Sequence, residues 1–99
     1  MSELFDWDDA NIAHIAAHGV SPSEAEEVIA NQPLDLDYEL REGEMRLRQV
    51  GRTAAGRILT VVSTFRGDLT RVVAAYPASK FLRTLYLEEL VKYGEASSS

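Results

Sequence analysis

Leu34-Asp35-Leu36-Asp37-Tyr38-Glu39 decides the fold, because here the hydrophobic pattern changes its period. Apolar and acidic residues alternate strictly, which describes a half-exposed edge strand. From Asp8 to Pro33 the spacing before it is helical. Asp8 or Asp9 suits a helix N-cap, and Ile12, Ile15 and Ala16 follow at i, i+3 and i+4 as one apolar stripe. Gly19 then ends the helix as a C′ glycine, with Val20 placed to close back on it. Ser21-Pro22-Ser23-Glu24 supplies a capping serine, proline at N1 and glutamate at N3, which is a complete capping box. Ala25, Val28 and Ile29 give the second helix its buried face, and Pro33 marks its end.

After the stretch the two-residue period continues as far as Pro77. Glu42-Gly43-Glu44 is a turn, and residues 45–52 put Met45 and Leu47 on one side with Arg46, Arg48 and Arg52 on the other. Residues 57–65 form the most apolar strand and are expected at the centre of the sheet. Arg66-Gly67-Asp68 turns into a last strand over 69–76. Pro77 stops that strand, and Ser79 can cap a final helix running to about Tyr93, with Gly94 ending it and 95–99 as a flexible tail. Leu4-Phe5-Asp6-Trp7 reads as a first strand or an extended lead-in. No repeat or linker interrupts the order. The expectation is an α+β fold in a single domain over 1–94: two N-terminal helices, a four-stranded antiparallel sheet and a C-terminal helix.

The bulk numbers narrow the function classes. A chain of 99 residues holds one hydrophobic core. With no cysteine there is neither a disulfide framework nor a zinc-thiolate site. The first ten residues carry four acids and no base, unlike a signal peptide, and no apolar run approaches a membrane span, so a cytoplasmic protein is expected. The net charge of −6 is distributed unevenly. Between Arg41 and Arg83 there are nine bases (Arg41, Arg46, Arg48, Arg52, Arg57, Arg66, Arg71, Lys80, Arg83) against three acids, so that segment is +6. The remainder holds thirteen acids and only Lys92. A binding surface depends on local potential, so the segment suits a polyanion, although arginines scattered over a solvated sheet face would give the same count.

His14 and His18 stand four apart on one helix face, a metal-ligand spacing with no third ligand in view. They also read as a hydrogen-bonded pair at the helix end, or His18 as a general acid or base. Glu24, Glu26 and Glu27 read most simply as a solvated helix face. No serine or cysteine nucleophile set and no phosphate-binding glycine loop is present. Metal-free RNA cleavage needs only cations on the phosphate and a group to move protons at the 2′-OH and the leaving 5′-oxygen. Arg46, Arg48 and Arg52 share one strand face, and Lys80, Arg83 and Leu87 share one helix face, while Tyr76 stands where the final strand meets that helix. Strict alternation would put Arg71 and Tyr76 on opposite faces of the sheet unless a bulge intervenes.

The order of these motifs resembles the BrnT family of toxins. Phe5-Asp6-Trp7-Asp8, Asn11, His14-Ile15, His18-Gly19-Val20 and the stretch 24–28 resemble the family's opening. Val50-Gly51-Arg52, Gly56-Arg57, the apolar strand to Thr64, and Arg71-Val72-Val73-Ala74-Ala75-Tyr76 before a Ser79-capped helix continue the match to about Glu89. The resemblance implies a RelE-like fold in a bacterial, metal-independent endoribonuclease toxin of a type II toxin–antitoxin pair. Its partners would be RNA and a small antitoxin that also represses the operon, with no membrane and no cofactor. Residues assigned to catalysis on this reading are Tyr76, Lys80, Arg83 and His18. Those assigned to RNA are Arg46, Arg48, Arg52, Arg57 and Arg71, with Leu87 and Val91 for an antitoxin or homodimer contact. The chain departs from the family where Ala17 replaces a frequent lysine and where Ala74 and Tyr76 replace a hydroxyl residue and a second arginine. Its last helix also opens with fewer bases. Either Tyr76 takes over that role or activity is reduced or lost, which leaves a non-catalytic toxin-fold module binding a partner protein or nucleic acid as the alternative. A metal-dependent enzyme using His14 and His18 ranks last.

Overall fold

The computed structural model describes residues 4–98, except the side chains of 93–98. Its elements are α1 (Asp9–Ala16), α2 (Pro22–Ala30), β1 (Leu34–Arg41), β2 (Glu44–Arg52), β3 (Ile58–Arg66), β4 (Leu69–Pro77) and α3 (Lys80–Ser98). The four strands form one antiparallel sheet in sequence order, with β1 at an edge and β3 internal, as expected. Leu4 to Trp7 is an extended lead-in. Phe5 makes a single parallel bridge with Thr70, so this segment lies along the outer edge of β4.

Local chemistry sets the helix ends. Asp8 caps α1 by accepting from the Asn11 N–H at 2.8 Å. Gly19, at φ +74°, reverses the chain so that the Val20 N–H donates back to the Ile15 carbonyl. The capping box of α2 is complete in both directions between Ser21 and Glu24. The Leu82 N–H donates to Ser79 Oγ at the start of α3. Helix α3 continues through Gly94, where the sequence expectation ended it, and Ser99 lies outside the described residues.

Helices α1 and α2 cover one face of the sheet. Ile15, Val20, Ala25 and Val28 pack there against Leu59, Val61, Val72 and Ala75. The Ile12, Ile15, Ala16 stripe is not the buried one. Asn11 and Ile15 point inward, whereas Ile12 and Ala16 are exposed, because α1 meets β4 along a single i, i+4 row. Gly51 is required on this face: a Cβ there would lie 3.1 Å from Val28 Cγ1 and 3.2 Å from Pro33 Cβ. Helix α3 crosses the opposite face over β2, burying Tyr86 with Leu82, Leu85 and Leu90 half-buried beside it. Leu87 and Val91 fall outside that arc and are 48% and 60% exposed.

Two bulges decide which residues share a face. In β1 the register slips at Leu36, so Leu34 pairs with Val50 but Tyr38 pairs with Leu47, on opposite faces. The expected Leu34, Leu36, Tyr38 alternation therefore breaks, whereas 37–41 stay in unbroken register with 48–44, Asp37 opposite Arg48. In β4 the slip at Val73 pairs Arg71 with Thr64 and Tyr76 with Thr60. Arg71 and Tyr76 thus project to the same face, which strict alternation would have forbidden.

Candidate functional site

Helix α3 leaves part of its sheet face open, and a cleft of about 460 Å³ lies there. Arg46 and Arg48 reach it from β2, Asp37, Glu39 and Arg41 from β1, and Tyr76 from β4, over a floor of Val62, Val73 and Ala74. Three of the sequence-derived site residues, Arg46, Arg48 and Tyr76, are therefore brought together. The His18 ring stands edge-on to the Tyr76 ring at 6.1 Å between centroids, so the turn after α1 adds its histidine at the β4 edge. The His14 ring is in turn edge-on to His18 at 6.0 Å. Among the described residues no group of three metal-ligating side chains converges around this pair.

The cleft is not a bare basic patch. Arg48 donates through Nε and Nη2 to both Asp37 oxygens, at 3.1 and 3.0 Å. Asp37, and secondarily the Tyr76 hydroxyl, raise the Arg48 pKa above its ordinary value against the opposing effect of burial. Arg46 pairs with Glu44 at 3.3 Å, and Arg41 with Glu39 at 3.7 Å. Sequence reasoning missed Asp37 as a cleft residue, although the 42–43 turn and the alternation of β1 set it opposite Arg48.

Arg57 and Arg71 are engaged elsewhere. Arg57 donates to Glu24 at 2.7 Å and to the Gly19 carbonyl at 3.0 Å, fastening the α1–α2 turn to the sheet. Arg71 reaches Asp8 at 2.8 Å and Asp6 at 3.4 Å, holding the lead-in and the α1 cap against β4. The Asp8 pKa falls below its ordinary value, first through the Asn11 N–H and then through Arg71. That of Glu24 falls first through Arg57 and then through the Ser21 N–H. The α2 carboxylates are thus not a purely solvated face, because Glu26 accepts from Trp7 Nε1 at 2.8 Å and Glu27 from the Ala54 N–H at 3.1 Å. Arg52, Lys80 and Arg83 are exposed and carry no ion pair among the described residues. Lys80 and Arg83 lie in the first turn of α3, four and seven residues beyond Tyr76.

A three-helix α+β domain with arginines, a tyrosine and a histidine at an open sheet face has the makings of a small phosphodiester-binding protein. Residues 7–81 match the family model described as the ribonuclease toxin BrnT of type II toxin–antitoxin systems, and the chain belongs to that family. No curated protein matches the chain. Family membership brings a ribonuclease toxin's RNA target and an antitoxin partner. No helix among the described residues is long and apolar enough to cross a membrane.

Proposed function

We propose that the chain is a cytoplasmic, metal-independent endoribonuclease that inhibits translation by cutting RNA in the cleft beside Tyr76, and that a cognate antitoxin holds it inactive. The observation that carries this reading is the convergence of Arg46, Arg48 and Tyr76 on one open sheet face, with His18 against the tyrosine ring. The 2′-OH attacks phosphorus, giving a 2′,3′-cyclic phosphate on one product and a 5′-OH on the other. Guanidiniums neutralise charge gathering on the non-bridging oxygens, where bidentate contacts are strongest. His18 and Tyr76 are assigned the proton transfers at the 2′-oxygen and the leaving 5′-oxygen. Lys80 and Arg83, at the strand–helix junction, are assigned to the scissile phosphate or its neighbour. Arg52 would track the backbone. Arg57 and Arg71 would contribute to RNA binding only with whatever capacity their carboxylate partners leave them. Leu87 and Val91 are assigned to the antitoxin.

One observation favours the alternative of a binding module without catalysis: every cleft arginine already has a carboxylate partner. Induced expression with growth monitoring, paired with RNA cleavage in EDTA, separates the two readings. The wild type should arrest growth and cut RNA without metal, whereas a Tyr76→Phe, Lys80→Ala, Arg83→Ala variant should do neither. A folded wild type that leaves both growth and RNA intact would establish the non-catalytic module instead.

A further inference from the structure

We infer that Asp37 is a built-in competitor for the RNA phosphate on Arg48, so that this carboxylate on β1 sets how tightly the cleft binds RNA. The inference rests on the reading of the cleft as the RNA site. Of the three guanidiniums lining the cleft, Arg48 is the one held through two nitrogens, and both contacts go to one carboxylate. Two oxygens facing Nε and Nη2 is also the arrangement in which two non-bridging oxygens of a phosphodiester meet arginine. Asp37 thus occupies the position that substrate needs, and RNA binds Arg48 by exchange.

The exchange is available because the pair is open to water. The Asp37 side chain is 52% exposed and that of Arg48 40%, so the carboxylate can swing into solvent at little cost. The competitor is placed by the backbone. From the 42–43 turn the register runs unbroken from Arg41–Glu44 to Asp37–Arg48, so plain alternation along β1 sets the Asp37 carboxylate directly opposite Arg48. Arg46 differs in kind, since Glu44 is two residues away on its own strand and makes a single contact at 3.3 Å. The consequence is selectivity. An anion offering one weak contact does not displace Asp37, whereas a nucleic acid adding contacts at Arg46 and at the His18–Tyr76 rings does.

The test measures binding of a short single-stranded RNA carrying 2′-O-methyl groups, which cannot be cleaved, by fluorescence anisotropy across a salt series. Asp37→Asn keeps the shape and removes the charge. It should bind about three- to tenfold more tightly than wild type at low salt, with a log K against log salt slope steeper by about 0.7. Glu88→Gln makes the same change in net charge on an exposed α3 residue outside the cleft and should leave affinity unchanged. Placed on an Arg48→Ala background, Asp37→Asn should gain nothing, because the two act as one pair. Thermal unfolding of each variant confirms that it is folded.

The inference is overturned if Asp37→Asn binds no more tightly than wild type while Arg48→Ala binds more weakly. An equal gain from Glu88→Gln would also overturn it, showing a net-charge effect. If Arg48→Ala leaves affinity untouched, RNA does not use the cleft, and both the inference and the site reading fall.

Discussion

The two faces of the sheet near the 42–44 and 66–68 turns come from neighbouring residues of the same strands, yet they are chemically opposite. Toward the helix-covered side, Tyr38, Leu40, Met45 and Phe65 are exposed where α1 and α2 no longer reach. On the other side Arg46 and Arg48 meet Asp37, Glu39 and Arg41 around the cleft. Alternation along β2 makes this separation, with Met45 and Leu47 one way and Arg46 and Arg48 the other. Of the two bulges, the one at Val73 alters the charged side by turning Tyr76 onto it, whereas the one at Leu36 only separates Leu34 from the face of Tyr38 and Leu40. The lesson is that the strand pattern sorts chemistry between faces, whereas a single irregularity in that pattern completes the site.

If the charged face alone handles RNA, removing its two central cations should have the largest effect. The Arg46→Ala, Arg48→Ala double variant is expected to lower RNA cleavage by about a hundredfold or more. Thermal stability should hardly move, since exposed pairs of this kind contribute about 0–1 kcal/mol each. A large fall in melting temperature with RNA binding intact would instead make these arginines structural.

The covered side breaks in the opposite way. Gly51→Val forces two methyl groups into contact with Val28 and Pro33 and should cost about 1–3 kcal/mol by denaturant titration. The folded fraction should still bind RNA normally.

Acid should loosen the ties between the helices and the sheet. The Asp8 and Glu24 pKa values are lowered from ordinary values of 3.8 and 4.5, so the unfolded chain binds more protons than the folded one as pH drops. Their stabilisation is present in full above those ordinary values and is lost as pH falls through the lowered ones. Melting temperature should therefore decline from about pH 5 downward, and Asp8→Asn should make the decline shallower.

The smallest effect belongs to the apolar end of the other face. Leu40→Ser with Phe65→Ser should change stability by no more than about 0.5 kcal/mol per residue and leave RNA affinity unchanged. Lost RNA binding there would erase the contrast between the faces.

Much of this architecture was legible in the residues. The Ser21–Glu24 capping box, Asp8, Gly19 and Ser79 marked four helix ends, and the change of period at Leu34 marked the sheet. The strand order followed from short connections. The site was legible in part. Arg46 and Arg48 share a face because of simple alternation, so they were found, as was Tyr76 at the strand end. Asp37 was not, because the acids of β1 read equally well as the solvated side of an edge strand, although the 42–43 turn sets Asp37 opposite Arg48. The destinations of Arg57 and Arg71 were equally hidden. Their partners Glu24, Asp6 and Asp8 lie 33 to 65 positions away, and only packing of α1 and α2 against the sheet brings them close.

The central claim is that RNA occupies the cleft lined by Arg46, Arg48 and Tyr76. Its most direct test is a titration of isotopically labelled protein with non-cleavable single-stranded RNA, followed by NMR. Side-chain Nε–H signals of Arg46 and Arg48, together with ring signals of Tyr76 and His18, should shift together and saturate together. Shifts confined to Tyr38, Leu40, Met45 and Phe65, with the cleft signals unmoved, would contradict the account.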